Sequence, residues 1–538
     1  MKAVYLIPAL PFTAAAVGLV FLAAMRFRRL RWVALVLYSI SIPTLACLLY
    51  YFWDHYVGPD AFSIWQFAIS PASISFFMPL CVASPLLLWA VQRKASAGRL
   101  GGAASALACF GFAAVLAAVL ADHFFLLAGM FTLASWCMAG AAVLQGRKAG
   151  RLLPCLFPIV LADLSLASGI LFLYIADPSR GLFYPAVPLR PSGMLAVSCS
   201  LMLASALLRL GCFPLHRWMA GMAGGSKDIR LIHLLALDLT LGTFLLFAVV
   251  RIFFVWDGPW IWICLGVGAA TLLEAARELL YAADREEIWG LLCAAMGAGI
   301  ALVAAPGGQA AAAAARLGLW AGVPALSLVE VGSDGAPGTH WARVVGGASL
   351  LGLPPLAGFA WLLSGFAVLA GEFAGGTTVI FLAAMLPLFA GALIMGTTSL
   401  LMPASRGAEV SGRTTTTVGL LLAVCCALVG LYPGAITDLF MREYGLPLDV
   451  PFASWTTLGW AALICTVLTV IIASAWAQRH GESGRLEAGR GRALPLLMRR
   501  KPPRLQLLER RRPGAALIIG EISLYLAWIA CMVYLGLK

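Results

Sequence analysis

The stretch LGLPPLAGFAWLLSGF, residues 351–366, lies inside an apolar run long enough to cross a membrane, yet it contains two adjacent prolines. Each proline removes a backbone donor and clashes with the preceding turn, so a helix running through Pro354 and Pro355 must break at membrane depth. Freed backbone groups are tolerated there only where surrounding protein or a water-lined cavity satisfies them. The break therefore reads as a built feature of a helical membrane protein.

Composition points the same way. The 538 residues are 62% hydrophobic and 11% charged, with mean hydropathy +0.93, whereas a soluble domain carries about a quarter charged residues. Apolar runs of about 20 residues, the length that spans about 30 Å of hydrocarbon, recur along the chain. They predict an all-α polytopic fold of about sixteen transmembrane helices. The first six fall near 3–25, 32–53, 72–92, 101–121, 123–145 and 152–176, and the next eight near 192–213, 231–254, 260–281, 288–306, 311–331, 345–371, 377–402 and 415–438. Two more fall near 453–477 and 514–537. The N-terminal apolar run is too long for a signal h-region and reads as a retained span.

A net charge of +13 suggests nucleic acid only until its placement is seen. Basic residues concentrate in alternate loops, at 26–31, 92–94, 146–151 and 479–513, which is a topology signal and not a nucleic-acid face. It puts the N-terminus outside and the basic loops in the cytoplasm of a multi-pass cell-membrane protein. The 479–513 segment holds eleven Lys/Arg against three Glu and suits a lipid-headgroup arm, a docking surface or a solvated loop. The thirteen cysteines stand singly except for Cys425 and Cys426, without CxxC or Cys/His clusters. They read as small hydrophobes, so no metal site and no cofactor is expected in this chain.

A second interruption occurs in LLRLGCFPLHRWMAGMAGG (207–225), at Gly211 and Pro214. The two breaks fall five predicted spans apart, and an odd number of spans per unit inverts the next one. Broken helices at corresponding places in two halves are the sign of an inverted-repeat transporter. The implied division is helices 1–3 over 1–100, a first five-helix unit over 101–255, a second over 260–402, and C-terminal helices with the basic segment over 403–538.

Pro214, His216 and Trp218, then Asp284 and Arg285, then Gly352, Pro354, Pro355, Gly358 and Phe359 together resemble the antiporter-like membrane subunits of respiratory complex I. The same family supplies Mrp-type Na+/H+ antiporters and the membrane arms of energy-converting hydrogenases and formate hydrogenlyases. The resemblance implies proton movement along buried Glu, Lys and His at the midplane. Residue by residue, that axis is degenerate here. The fifth-helix Glu aligns with Gly129, the seventh-helix Lys with Arg209, and the eighth-helix Lys with Thr240. The tenth-helix His aligns with Ala295, the eleventh-helix Lys with Ala321, and the charged residue after the second break with Leu362. Arginine keeps its proton at working pH and is no titrating relay.

The remaining ion-path candidates are Arg209, Asp163, Asp238 and His233. An intramembrane acid is costly enough that function is its default reading. For Asp163 the alternative is a structural pair with Arg209 or with serines. Asp238 and His233, five residues apart, do not share a helical face closely. Asp122–His123 reads as interfacial, Glu274, Arg277 and Glu278 as a salt-bridged cluster at a helix end, and Glu330 as a loop mouth. Gly211, Pro214, Pro354, Pro355 and Gly358 are structural, making the breaks. The reading is an antiporter-like subunit of a complex I-related or hydrogenase-related redox complex with an impaired or rerouted proton path. Its partners would be sibling membrane subunits, the bilayer and a soluble redox module. The alternatives are an Mrp-type or stand-alone cation/proton antiporter, or a membrane anchor for a soluble partner.

Overall fold

The structure, a computed structural model, describes residues 6–24, 27–52, 62–64, 67–69, 71–94, 99–144, 149–178, 189–223, 238–253, 259–282, 285–332, 340–373, 378–401 and 412–431. The expected spans near 453–477 and 514–537, the basic 479–513 segment, Asp284 and His233 lie outside these residues.

What is described is helical apart from one short hairpin. The chain runs through α1 (Leu6–Ala23), α2 (Arg28–Phe52), the antiparallel pair β1 (Phe62–Ile64) and β2 (Phe67–Ile69), α3 (Pro71–Lys94), α4 (Arg99–Val119), α5 (Phe124–Leu144) and α6 (Ala149–Ala176). Then come α7 (Met194–Arg209), α8 (Arg217–Ala223), α9 (Thr240–Ile252), α10 (Pro259–Tyr281) and α11 (Arg285–Ala304). The last are α12 (Gly308–Gly332), α13 (His340–Leu350), α14 (Ala357–Phe373), α15 (Thr378–Leu401) and α16 (Gly412–Leu431). Among the described residues six helices are long and apolar enough to cross a membrane: α2, α4, α6, α10, α11 and α12.

Burial sorts the helices. α11 and α12 are buried along nearly their whole length, while α2 and α6 keep exposed rows such as Val33, Leu37 and Ile40, and Val160, Leu164 and Leu171. Apolar side chains facing outward are what lipid contact requires. α6 packs on α7, α1 on α4, α10 on α11 and α12 on α13. The described cysteines are unbridged, and all but Cys47 and Cys425 are buried, as small hydrophobes are.

Both expected breaks are present, and they are built alike. After α7 the Gly211 N–H donates to Leu208 O (3.0 Å) and the Cys212 N–H to Leu207 O (2.9 Å). After α13 the Gly352 N–H donates to Ser349 O (2.9 Å) and the Leu353 N–H to Ala348 O (3.0 Å). This paired bonding is the Schellman stop, which needs a left-handed residue, and Gly211 (φ 69°) and Gly352 (φ 74°) supply it. Three residues later a cis peptide precedes Pro214 in one break and Pro355 in the other. The freed donors are met by neighbours: the Phe213 N–H donates to Thr271 Oγ1 of α10 (2.7 Å), and the Gly358 N–H to Ser349 Oγ (3.2 Å). Hydroxyls at such depth are how an interrupted helix stays satisfied in lipid.

Candidate functional site

The first break ends α7 at Arg209, and the site is built around that side chain. Arg209 is 1% exposed, fixed in depth by the Schellman stop that begins one residue later. Gly242 lets α9 come close, since a Cβ there would lie 2.9 Å from the Leu210 nitrogen. The turn leading into α9 thereby delivers Asp238, which is 1% exposed and accepts from Arg209 Nη1 at 2.6 Å through Oδ1. On the other side α6 delivers Asp163, 12% exposed, whose Oδ1 accepts from Nη2. α5 completes the ring. Ser135 Oγ accepts from Nη2 and donates to Asp163 Oδ2 (2.6 Å), and the Phe131 carbonyl takes a further bond from Nη2 (3.3 Å). The guanidinium carbon lies 5.6 Å from the Phe131 ring centroid.

Three of the four ion-path candidates are thus one cluster, Asp163–Arg209–Asp238, while His233 lies outside the described residues. The planar guanidinium, with five donors in a fixed fork, engages two carboxylates at once, a geometry a lysine point charge does not reproduce. Breaking a buried pair by removing one partner costs about 3–5 kcal/mol, because the other charge is left uncompensated. The arrangement therefore holds Arg209 in one orientation and ties α5, α6, α7 and the start of α9 together.

Gly129, matched to the family's fifth-helix Glu, faces outward, and a Cβ on it would meet nothing within 4 Å. The α5 residue turned toward Arg209 is Ser135, six positions on. The carboxylate has not simply vanished, because Asp163 on α6 and Asp238 before α9 supply two. Thr240, Ala295, Ala321 and Leu362 are buried and bring no ionisable group.

Other polar groups differ from their sequence reading. Glu330 is buried and not a loop mouth; its Oε2 lies 3.0 Å from Arg285 Nη2, joining the end of α12 to the start of α11. Glu278 leaves its own helix for the first break, accepting from Arg217 Nε (2.7 Å) with His216 Nε2 at 3.6 Å, while Arg277 pairs with Glu274. Asp122 lies between α4 and α5; burial pushes its carboxyl above the usual range, and Arg251 and His123 oppose that. Arg316 was missed. It is buried on α12, donates to Ser75 Oγ of α3 (2.8 Å) and lies 5.1 Å from the Phe247 ring centroid. Its signal was in the sequence, a lone arginine between an alanine run and LGLW. Ser135 carried no signal, since nothing local marks which serine of α5 faces inward.

No family model matches the sequence, and no curated protein matches it either. Solved structures do. A chain of the Mrp complex from Dietzia sp. DQ12-45-1b superposes with TM-score 0.73 at 18% identity, over 97% of this chain and 60% of that one. A chain of the membrane-bound sulfane sulfur reductase, an archaeal respiratory membrane complex, gives 0.69 at 14% identity over 85% of this chain and 84% of that one. A chain of respiratory complex I from Thermus thermophilus gives 0.60 at 18% identity over 79% and 99%. The chain has the fold of the antiporter-like membrane subunits. It spans about three fifths of the Mrp-complex chain it superposes on. In this chain the helix before the first break ends in a buried cation, with arginine as the cation and two aspartates as its counter-charges.

Proposed function

We propose that this protein is an antiporter-like subunit of a multi-subunit membrane complex, of the redox type, that contributes architecture and little proton traffic of its own. The observation that carries this is Arg209, buried and gripped by Asp163, Asp238 and Ser135. A relay residue must lose and regain a proton, and a guanidinium between two carboxylates is the group least able to do so. The proposal includes sixteen spans arranged as two inverted five-helix units over 101–255 and 260–402. The like-built stops at Gly211 and Gly352 support the repeat. It includes sibling membrane subunits as partners, a soluble redox module beyond them, and basic loops on the cytoplasmic side.

Proton flux in proteoliposomes holding the purified native complex tests it. Asp238→Asn and Asp163→Asn complexes that assemble are expected to keep wild-type flux. A fall in flux with assembly intact rejects the architectural reading.

A second reading, a subunit of a cation/proton antiporter, is favoured by one observation: the superposition on the Mrp-complex chain covers 97% of this chain, against 79% for the complex I chain. Sodium-dependent proton movement in the same vesicles, without any electron donor, separates the two.

A further inference from the structure

Two carboxylates face one guanidinium at the centre of this cluster. With both ionised, Asp163–Arg209–Asp238 carries one surplus negative charge where an uncompensated charge is most costly. Among the described residues the charges acting on Asp238 are those of Arg209 and Asp163. From the elements packed around it, α5 brings Ser135 and the Phe131 carbonyl, α6 brings Asp163, and α7 brings Arg209. Of the charged groups of α11 and α12, Arg285 pairs with Glu330 and Arg316 donates to Ser75.

The two aspartates are not equivalent. Asp163 uses both oxygens, Oδ1 on Arg209 and Oδ2 on Ser135 Oγ. Asp238 uses Oδ1 on Arg209, while its Oδ2 is fully buried and, among the described residues, without a hydrogen-bond partner. A bare carboxylate oxygen in that position is among the most unfavourable arrangements a protein interior holds, and protonation relieves it. Ser205 Oγ, one turn before Arg209 on α7, is likewise buried and without a hydrogen-bond partner among the described residues. A metal ion would need a shell of several oxygens. Oδ1 of Asp163, Ser135 Oγ, the Phe131 carbonyl and Oδ1 of Asp238 already belong to the guanidinium, and Oδ2 of Asp163 to the Ser135 hydroxyl.

We propose that the triad is a one-proton binding site, with the proton resident on Oδ2 of Asp238, leaving a neutral Asp163–Arg209 ion pair beside a neutral acid. This goes beyond the architectural reading, since a subunit that conducts nothing can hold this proton and one that conducts can use it.

The test is hydrogen/deuterium infrared difference spectroscopy on the full chain in its native assembly, reconstituted in lipid. The wild type is expected to show a protonated-carboxyl carbonyl band that shifts in D2O. Asp238→Asn is expected to assemble at wild-type yield, because a neutral amide replaces a neutral acid of the same shape, and to lose that band. Asp163→Asn leaves Asp238 as the sole counter-charge of Arg209, so it is expected to lose the band as well, Asp238 having ionised. A spectrum of Asp238→Asn superimposable on wild type overturns the proposal. So does an Asp238→Asn chain that fails to assemble while Asp163→Asn assembles, because Asp238 is then the ionised partner. Solid-state NMR of wild-type protein with 13C-labelled aspartate needs no variant. A protonated aspartate carboxyl is expected, and its absence overturns the site. Flux and protonation are read separately, so failure of the architectural reading leaves these outcomes unaffected.

Discussion

Arg209 shows how much one substitution can decide. Where the family resemblance implies a lysine, the guanidinium donates to buried Asp238, to partly buried Asp163 and to Ser135. Arg209→Met removes the only cation of the cluster and strands Asp163 and Asp238 together. The expected loss is about 3–5 kcal/mol of stability, seen as a lower thermal midpoint in detergent or as loss of assembled complex. Arg209→Lys keeps the charge but gives up the fork, and is expected to lie between methionine and wild type. The same reasoning applies to Glu330, buried against Arg285. Glu330→Gln leaves that guanidinium short of its counter-charge and is expected to cost about 3 kcal/mol or more, while replacing both partners by apolar residues recovers much of it. A double-mutant cycle by thermal unfolding checks the recovery.

At the scale of the element, the two breaks were legible in the sequence because proline and glycine act locally. Pro214, Pro354 and Pro355 end helical bonding wherever they stand, and a glycine shortly before them marks the left-handed stop. The partners that make the breaks tolerable were not legible, because Thr271 lies 58 residues from the N–H it serves. Thr271→Val removes that acceptor and is expected to cost about 1–3 kcal/mol, against a small effect for Thr271→Ser. Gly358 is a packing requirement of another sort. A Cβ there would run into the Ser349 carbonyl across the second break. Gly358→Ala is expected to lower the thermal midpoint by an amount equivalent to about 1–3 kcal/mol.

Across the whole molecule, α3 is tied to α12, which lies more than 200 residues later in the chain. Arg316 and Trp320 both reach Ser75 of α3, one at its hydroxyl and one at its carbonyl, at 2.8 and 3.0 Å. A double-mutant cycle between Arg316→Met and Ser75→Ala is expected to give a coupling of about 1–3 kcal/mol, and a value near zero would remove this tie from the account. The sequence by itself determined the class of molecule, the apolar helices and the two breaks, because hydropathy and proline chemistry are properties of short segments. It also carried the antiporter-like resemblance, through motifs of which two lie at those breaks. Tertiary structure alone decided that Asp163, Arg209 and Asp238 form one charge cluster, that Gly129 faces outward while Ser135 faces in, and that Glu330 is buried. The physical reason is that a side chain's partner in an ion pair depends on helix rotation and helix-to-helix distance. Neither is encoded at any one position, and both are set by the packing of the bundle as a whole.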